Sequence, residues 1–289
     1  MCRLFALSGG PEQVAATFWL LGAPDSLRVQ SRREPDGAGV GAFDHKGHPV
    51  VDKWPLAAYR DREFARAART LRSRTFVAHV RYASTGALTP LNTHPFELDG
   101  RLFAHNGVIE GLPELDQELG DARAWVRGDT DSERFFALIT REIRRCGEVV
   151  AGIAAALRWV AANLPLLSAN FVMIGPTDLW ALRYPAVHDL YVLERRAGGH
   201  LGGAPLLHHG RGRHHRISAS VPALADRPSV VLATERMDAD PGWRPLASGE
   251  LIHVAPDLTV TSEQLIDQPP ARLLSLADLG ERAASSQRG

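Results

Sequence analysis

Apolar and small residues gather in short runs along the chain, and the spacing within each run predicts its element. Residues 4–8 and 38–43 read as strands. Between them Pro11 to Leu21 has helical spacing, and the Gly-rich stretch SRREPDGAGVGAFD (31–44) turns the chain into the second strand. Residues 61–72 alternate apolar and charged positions at the period of an amphipathic helix. TFVAHVRYAS (75–84) reads as a buried strand with Phe76, Val77 and Val80 among its apolar positions, and RLFAHNG (101–107) as another, stopped by Asn106-Gly107. TDSERFFALITREIRRC starts a helix in which Thr130 or Asp131 can accept from the free amides, with acids in the first turn. A second helix covers 148–163. From 169 onward the pattern returns to strands: ANFVMIG, DLWALRYP, LYVLERR, SVVLATE and ELIHVAP.

Strands, two helices and strands again make an α+β order with segregated elements. No repeat and no convincing linker divides residues 1–262, which predicts one domain there. Residues 263–289 are polar, with Pro-Pro and a Ser-rich end, and read as a peripheral segment or a frayed tail.

Bulk composition narrows the function classes. The chain has 289 residues, 45% of them hydrophobic, and 33 basic residues balance 33 acidic ones. Neither nucleic acid nor an anionic membrane surface is favoured by that balance. No apolar run approaches a membrane span, and the start lacks the layout of a secretory signal. Two cysteines, Cys2 and Cys146, cannot make a disulfide framework, which fits a reducing, cytoplasmic setting. Zinc-type spacings are absent, and neither a metal nor a cofactor is expected. The basic stretch HHGRGRHHR (208–216) has no ordered acidic or cysteine partner and reads as a solvated insertion; Cys146 reads as a buried or half-buried bystander.

Against that background the placement of Cys2 is informative. Removal of Met1 would leave Cys2 with both a thiol, ordinarily near pKa ~8.5, and an α-amine titrating at roughly 7.7–8.0. An N-terminal amine is a known base for activating the nucleophile on the same residue. Arg81 falls near the end of an apolar strand, where a guanidinium needs a partner and its planar fork suits a carboxylate. Asn106 and Gly107 put a side-chain amide beside a backbone amide, the two donors an oxyanion needs. Asp131 at the start of a helix can face an ammonium. Taken singly, each has a plainer reading: a strand-starting small residue, a structural ion pair, a tight turn and a helix cap.

Their order is more specific than any one of them. Cys2, RYAS (81–84), NTHP (92–95), HNG (105–107) and TDSE (130–133) together resemble the glutaminase domains of the type 2 glutamine amidotransferases, in the N-terminal-nucleophile hydrolase superfamily. The resemblance covers most of residues 1–255, and LATERMDADPGWRPLASGELIHV (232–254) is similar to the closing part of the small stand-alone branch. It implies a four-layer α/β/β/α sandwich of two antiparallel sheets. It also implies hydrolysis of glutamine or a γ-glutamyl compound through a thioester on Cys2. In that scheme Arg81 holds the substrate α-carboxylate, Asp131 its α-ammonium, and Asn106 with Gly107 the oxyanion. Tyr82, Ser84 and His94 are supporting candidates, and Tyr82 stands where several relatives carry Trp. Ammonia could be released, or passed to a synthase partner subunit. The rival from another class is a non-catalytic amino-acid-binding protein on the same scaffold. A third reading, an unrelated thiol enzyme, needs a histidine base such as His79 or His105.

Overall fold

The computed structural model describes residues 2–82, 87–197, 207–208, 219–220 and 227–287. Ser84 and most of the basic stretch 208–216 lie outside the described residues.

Sheet-forming segments fall into two layers. The first sheet is built from β1 (Arg3–Ser8), β2 (Gly37–Phe43), β3 (Pro49–Trp54), β4 (Thr75–Arg81), β9 (Tyr191–Arg195), β12 (Ser229–Ala233) and β13 (Arg244–Pro245), in the order β13-β9-β12-β1-β4-β2-β3. The second runs β15-β14-β8-β7-β6-β5, with β5 (Phe96–Leu98), β6 (Arg101–Ile109), β7 (Pro165–Ile174), β8 (Leu179–Arg183), β14 (Glu250–Val254) and β15 (Val260–Gln264). A short ribbon, β10 (Leu207–His208) with β11 (Ala219–Ser220), stands apart, and β16 (Arg272–Leu273) adds to β7 in parallel. All other pairings within the two sheets are antiparallel.

Successive side chains on a strand point to opposite faces, and this period of two sorts the core into layers. On β1, Phe5 and Leu7 pack outward with Trp19, Leu27, Phe64 and Ala68. Leu4 and Ala6 face the other sheet and meet Val77, Leu102, Ala104 and Val172. On β6, Phe103 and Ile109 turn outward to Phe135, Leu138 and Leu157 of the helical layer. Three apolar clusters between four layers confirm the α/β/β/α sandwich of two antiparallel sheets.

The outer helices are α1 (Leu27–Gln30) and α2 (Arg62–Thr70) on one side, and α3 (Leu112–Leu119), α4 (Asp131–Cys146) and α5 (Val149–Asn163) on the other. Asp61 caps α2 by accepting from the Glu63 and Phe64 amides at 2.8 and 3.1 Å. Thr130 caps α4 through its hydroxyl, which accepts from the Glu133 amide. Gly147 ends α4 in a left-handed conformation (φ 74°) that lets α5 fold back beside it.

Three expectations from the sequence are corrected. Pro11–Leu21 is helical only at Phe18–Gly22, a single wide turn, because Val14 and Ser73 exchange backbone hydrogen bonds that a helix would need. β6 does not stop at Asn106-Gly107: those residues pair with Asn170 and Ala169, and the strand breaks its register only between Val108 and Ile109. Cys146 is exposed, as the last residue of α4 beyond its buried face. Residues 271–287 are tied to the rest of the chain. The Ala271 amide donates to Ala161 O and the Leu274 amide to Leu166 O, and helix α6 (Glu281–Gln287) packs Ala284 with Leu279 against Val108 and Leu167. Leu274, Leu276 and Leu279 give this polar segment enough apolar surface to dock.

Candidate active site

The site forms at one end of the space between the sheets. Cys2 precedes β1 and shares the face of Leu4 and Ala6; Arg81 ends β4 on the face of Val77; Asn106 lies on β6 on the face of Leu102 and Ala104. The strand alternation therefore aims three polar side chains at one point. Asn106 Nδ2 donates to the Cys2 carbonyl oxygen at 2.9 Å and joins the two sheets there.

Cys2 is half-buried, and its Sγ accepts from the Tyr82 amide at 3.2 Å. Burial pushes the thiol up to about 11; the Tyr82 hydrogen bond opposes this, Glu34 adds to it, and Arg81 opposes it. At neutral pH the resting group is a thiol, so attack needs a base to take its proton. Alkylation of Cys2 by iodoacetamide, followed by peptide mass, is expected to quicken by about tenfold per pH unit with no plateau below about pH 10. A plateau near pH 8 would mean an ordinary thiol.

Arg81 is 5% exposed. Burial disfavours its charge, and the nearby Cys2, Asp36 and Asp131 favour it. Asp131 is the first residue of α4; its Oδ2 accepts from the Ile109 amide at 2.9 Å and its Oδ1 from the Ser132 amide at 2.9 Å. Those bonds hold the carboxylate at the cleft rather than at the helix end, which Thr130 caps.

His105 faces the helical layer. Its Nε2 lies 3.2 Å from Ser168 O, which can only accept, so Nε2 carries the proton and Nδ1 accepts from Ser132 Oγ at 2.9 Å. With both nitrogens engaged, His105 is not a base for Cys2. His79 and His94 lie with ring centroids 4.2 Å apart. Burial holds His79 down to about 3 and His94 well below its ordinary range, so both imidazoles are neutral at pH 7. Lys53 Nζ donates to Pro95 O at 3.0 Å and steadies the loop that carries His94. Gly107 must lack a side chain: a Cβ there would collide with the Ser168 carbonyl and the His105 ring.

Cys2, Arg81, Tyr82, His94, Gly107 and Asp131 line one cleft, together with His79, His105, Thr130, Ser132 and Gln287. Asn106 is not among the lining residues and is joined to the cleft through its bond to the Cys2 carbonyl. Ser132, whose hydroxyl meets His105 Nδ1, and Gln287 were not singled out by the sequence. Ser132 had a signal as the neighbour of Asp131 in TDSE; Gln287 had none. Among the described residues no group of three or more His, Cys, Asp or Glu side chains is placed to hold a metal ion.

A half-buried thiol, a guanidinium and a carboxylate converge at the edge of two stacked antiparallel sheets, the architecture of an N-terminal-nucleophile hydrolase. The chain belongs to the class-II glutamine amidotransferases, whose family model matches residues 1–271. It is 37% identical over 267 residues to the gamma-glutamyl-hercynylcysteine sulfoxide hydrolase of Mycobacterium tuberculosis, covering 88% of this chain and 93% of that one. The putative glutamine amidotransferase YafJ of Escherichia coli is 29% identical over 224 residues, 74% of this chain and 83% of that one. The chain spans a quarter (25%) of the length of the glutamine–fructose-6-phosphate aminotransferase of Bradyrhizobium diazoefficiens, with 28% identity over 155 residues. Among solved structures, the glutamine aminotransferase class-II domain protein of Silicibacter pomeroyi superposes with a TM-score of 0.59 at 18% identity, covering 92% of this chain and 100% of that one. The glutamine PRPP amidotransferase of B. subtilis gives a TM-score of 0.62 at 18% identity over 93% of this chain and 50% of its own. The family is that of the class-II glutamine amidotransferases, and one of these relatives is named for hydrolysis of a γ-glutamyl compound. No helix among the described residues is long and apolar enough to cross a membrane.

Proposed function

We propose that this chain hydrolyses the γ-amide bond of a small, free γ-glutamyl compound through a thioester on Cys2. The observation that carries the reading is the single cleft lined by Cys2, Arg81, Asp131 and Gly107. A γ-glutamyl group presents one carboxylate, one ammonium and one carbonyl, and these residues answer each in kind.

Met1 is removed, and the freed α-amine of Cys2 takes the thiol proton as Sγ attacks the γ-carbonyl. The raised thiol pKa supports this order, because the proton is still present when substrate arrives. Asn106 Nδ2 has a second N–H beyond the one given to Cys2 O, and with the Gly107 amide it binds the oxyanion. Collapse breaks the C–N bond, and the ammonium formed on Cys2 returns its proton to the leaving amine. Water then hydrolyses the thioester to glutamate and free Cys2. Arg81 holds the α-carboxylate by its fork, and Asp131 the α-ammonium. Tyr82 supplies its amide to Sγ, and His94 walls the cleft. The catalytic unit runs over residues 1–262, with 263–289 an accessory segment, in a cytoplasmic setting. The match over 93% of a γ-glutamyl hydrolase supports action without a synthase partner subunit.

Intact mass before and after diazo-oxo-norleucine, a glutamine-shaped electrophile, tests the reading. Loss of Met1 with one adduct on Cys2 is expected. A retained Met1 with no adduct would transfer the fold to the amino-acid-binding role. In a glutaminase assay Asn106→Ala is expected to lower turnover by about 10²–10³-fold with the fold retained; wild-type turnover in the folded variant would remove Asn106 from the oxyanion site.

A further inference from the structure

The cleft around Cys2 has free room for about 20 Å³. That volume suits one water molecule and not a γ-glutamyl group. The end of helix α6 contributes to its lining. Gln287 is 4% exposed and is one of the residues lining the cleft, and Ser286 beside it is fully buried. His188 Nε2 donates to Gln287 Oε1 at 2.9 Å, and Gln287 Nε2 donates to Ser286 Oγ at 3.1 Å, so the carboxamide is held in place.

We infer that α6 is an autoinhibitory cap whose Gln287 side chain closes the Cys2 cleft and must lift before substrate enters. The inference rests on the reading of Cys2 above for its catalytic consequence. Gln287 lines the cleft and carries the same carboxamide as a glutamine substrate. Being within the chain, it has no free α-carboxylate for Arg81 and no α-ammonium for Asp131. It is therefore a weak occupant that a free γ-glutamyl compound displaces.

The attachment is suited to release. A seven-residue helix is too short to hold its shape alone. It is kept down by Ala284 and Leu279 against Val108 and Leu167, and by the His188 bond. Segments with so few buried apolar contacts open at the low end of a protein's stability range. Just before it, β16 is fixed along β7, so the helix can swing while its root stays attached. The open fraction scales the apparent affinity: a substrate that binds only the open form has its Kd raised by the reciprocal of that fraction.

The test uses the full chain with Cys146→Ser, which leaves Cys2 as the reactive thiol. Into it go Gln287→Ala, which removes the plug, and Ala284→Asp, which puts a charge under the helix. Two readouts are taken: the rate of Cys2 alkylation by iodoacetamide, and KM for L-glutamine and a γ-glutamyl dipeptide. Faster alkylation, by about tenfold in Ala284→Asp and less in Gln287→Ala, with KM lowered and kcat kept, is expected. Unchanged or slower alkylation in folded Gln287→Ala overturns the cap, whether or not Ala284→Asp folds. Faster alkylation without γ-glutamyl turnover in any form would support the cap and overturn the proposed function.

Discussion

Replacing Cys2 with alanine is expected to lower γ-glutamyl hydrolysis by about 10⁴-fold or more. Glutamate release from L-glutamine or a γ-glutamyl dipeptide measures it. Without the thiol, the covalent route is gone, and only substrate binding and the oxyanion donors remain to help direct attack by water. Thermal unfolding should stay close to that of the parent chain, because Cys2 is half-buried at the end of the inter-sheet core and its Sγ makes only weak bonds to the Tyr82 backbone. Activity within about tenfold of the parent would place the nucleophile elsewhere.

Arg81→Ala should cost about 10²–10⁴-fold in kcat/KM, carried mainly by KM, since two charge-assisted hydrogen bonds to the substrate carboxylate are lost. Arg81→Lys keeps the charge but loses the fork and should fall between the two. The control is a substrate analogue with hydrogen in place of the α-carboxylate. If Arg81 binds that group, the parent should already handle the analogue poorly and Arg81→Ala should change it little. An equal loss on both substrates would make Arg81 a structural residue, balancing Asp36 and Asp131 at the end of its strand.

The grouping of the candidate residues was more legible in the sequence than the architecture. Cys2, Arg81, Gly107 and Asp131 could be read because each carries a chemical oddity: a terminal thiol, a charge at the end of an apolar strand, a glycine after an amide, an acid at a helix start. The stacking of two sheets could not be read from an α+β order and came from the resemblance, because local periodicity says which faces are apolar and not which partner covers them. Asn106-Gly107 misled as a turn. Its local preference was overridden by the Asn170 and Ala169 partners on β7, about sixty residues away in the chain. Pro11–Leu21 failed for a related reason, since the Val14–Ser73 bridge takes the backbone groups of a would-be helix. Gln287 left no trace, because a lone glutamine in a Ser-rich stretch has neither periodicity nor unusual chemistry; its place in the cleft depends on the docking of Leu279 and Ala284.

Cys2 belongs to one sheet and Asn106 to the other, and the 2.9 Å contact between them spans the gap that Leu4, Ala6, Leu102 and Ala104 fill. Those four side chains therefore act as a gauge block, fixing how far the Cys2 thiol stands from Asn106, which we propose as an oxyanion donor. Misplacement by about 1 Å can cost about a hundredfold in rate. Natural selection for turnover thus extends into ordinary aliphatic residues that never meet a substrate. Neutral drift in this protein should be slowest not in its outer helices but in the thin apolar seam between its sheets.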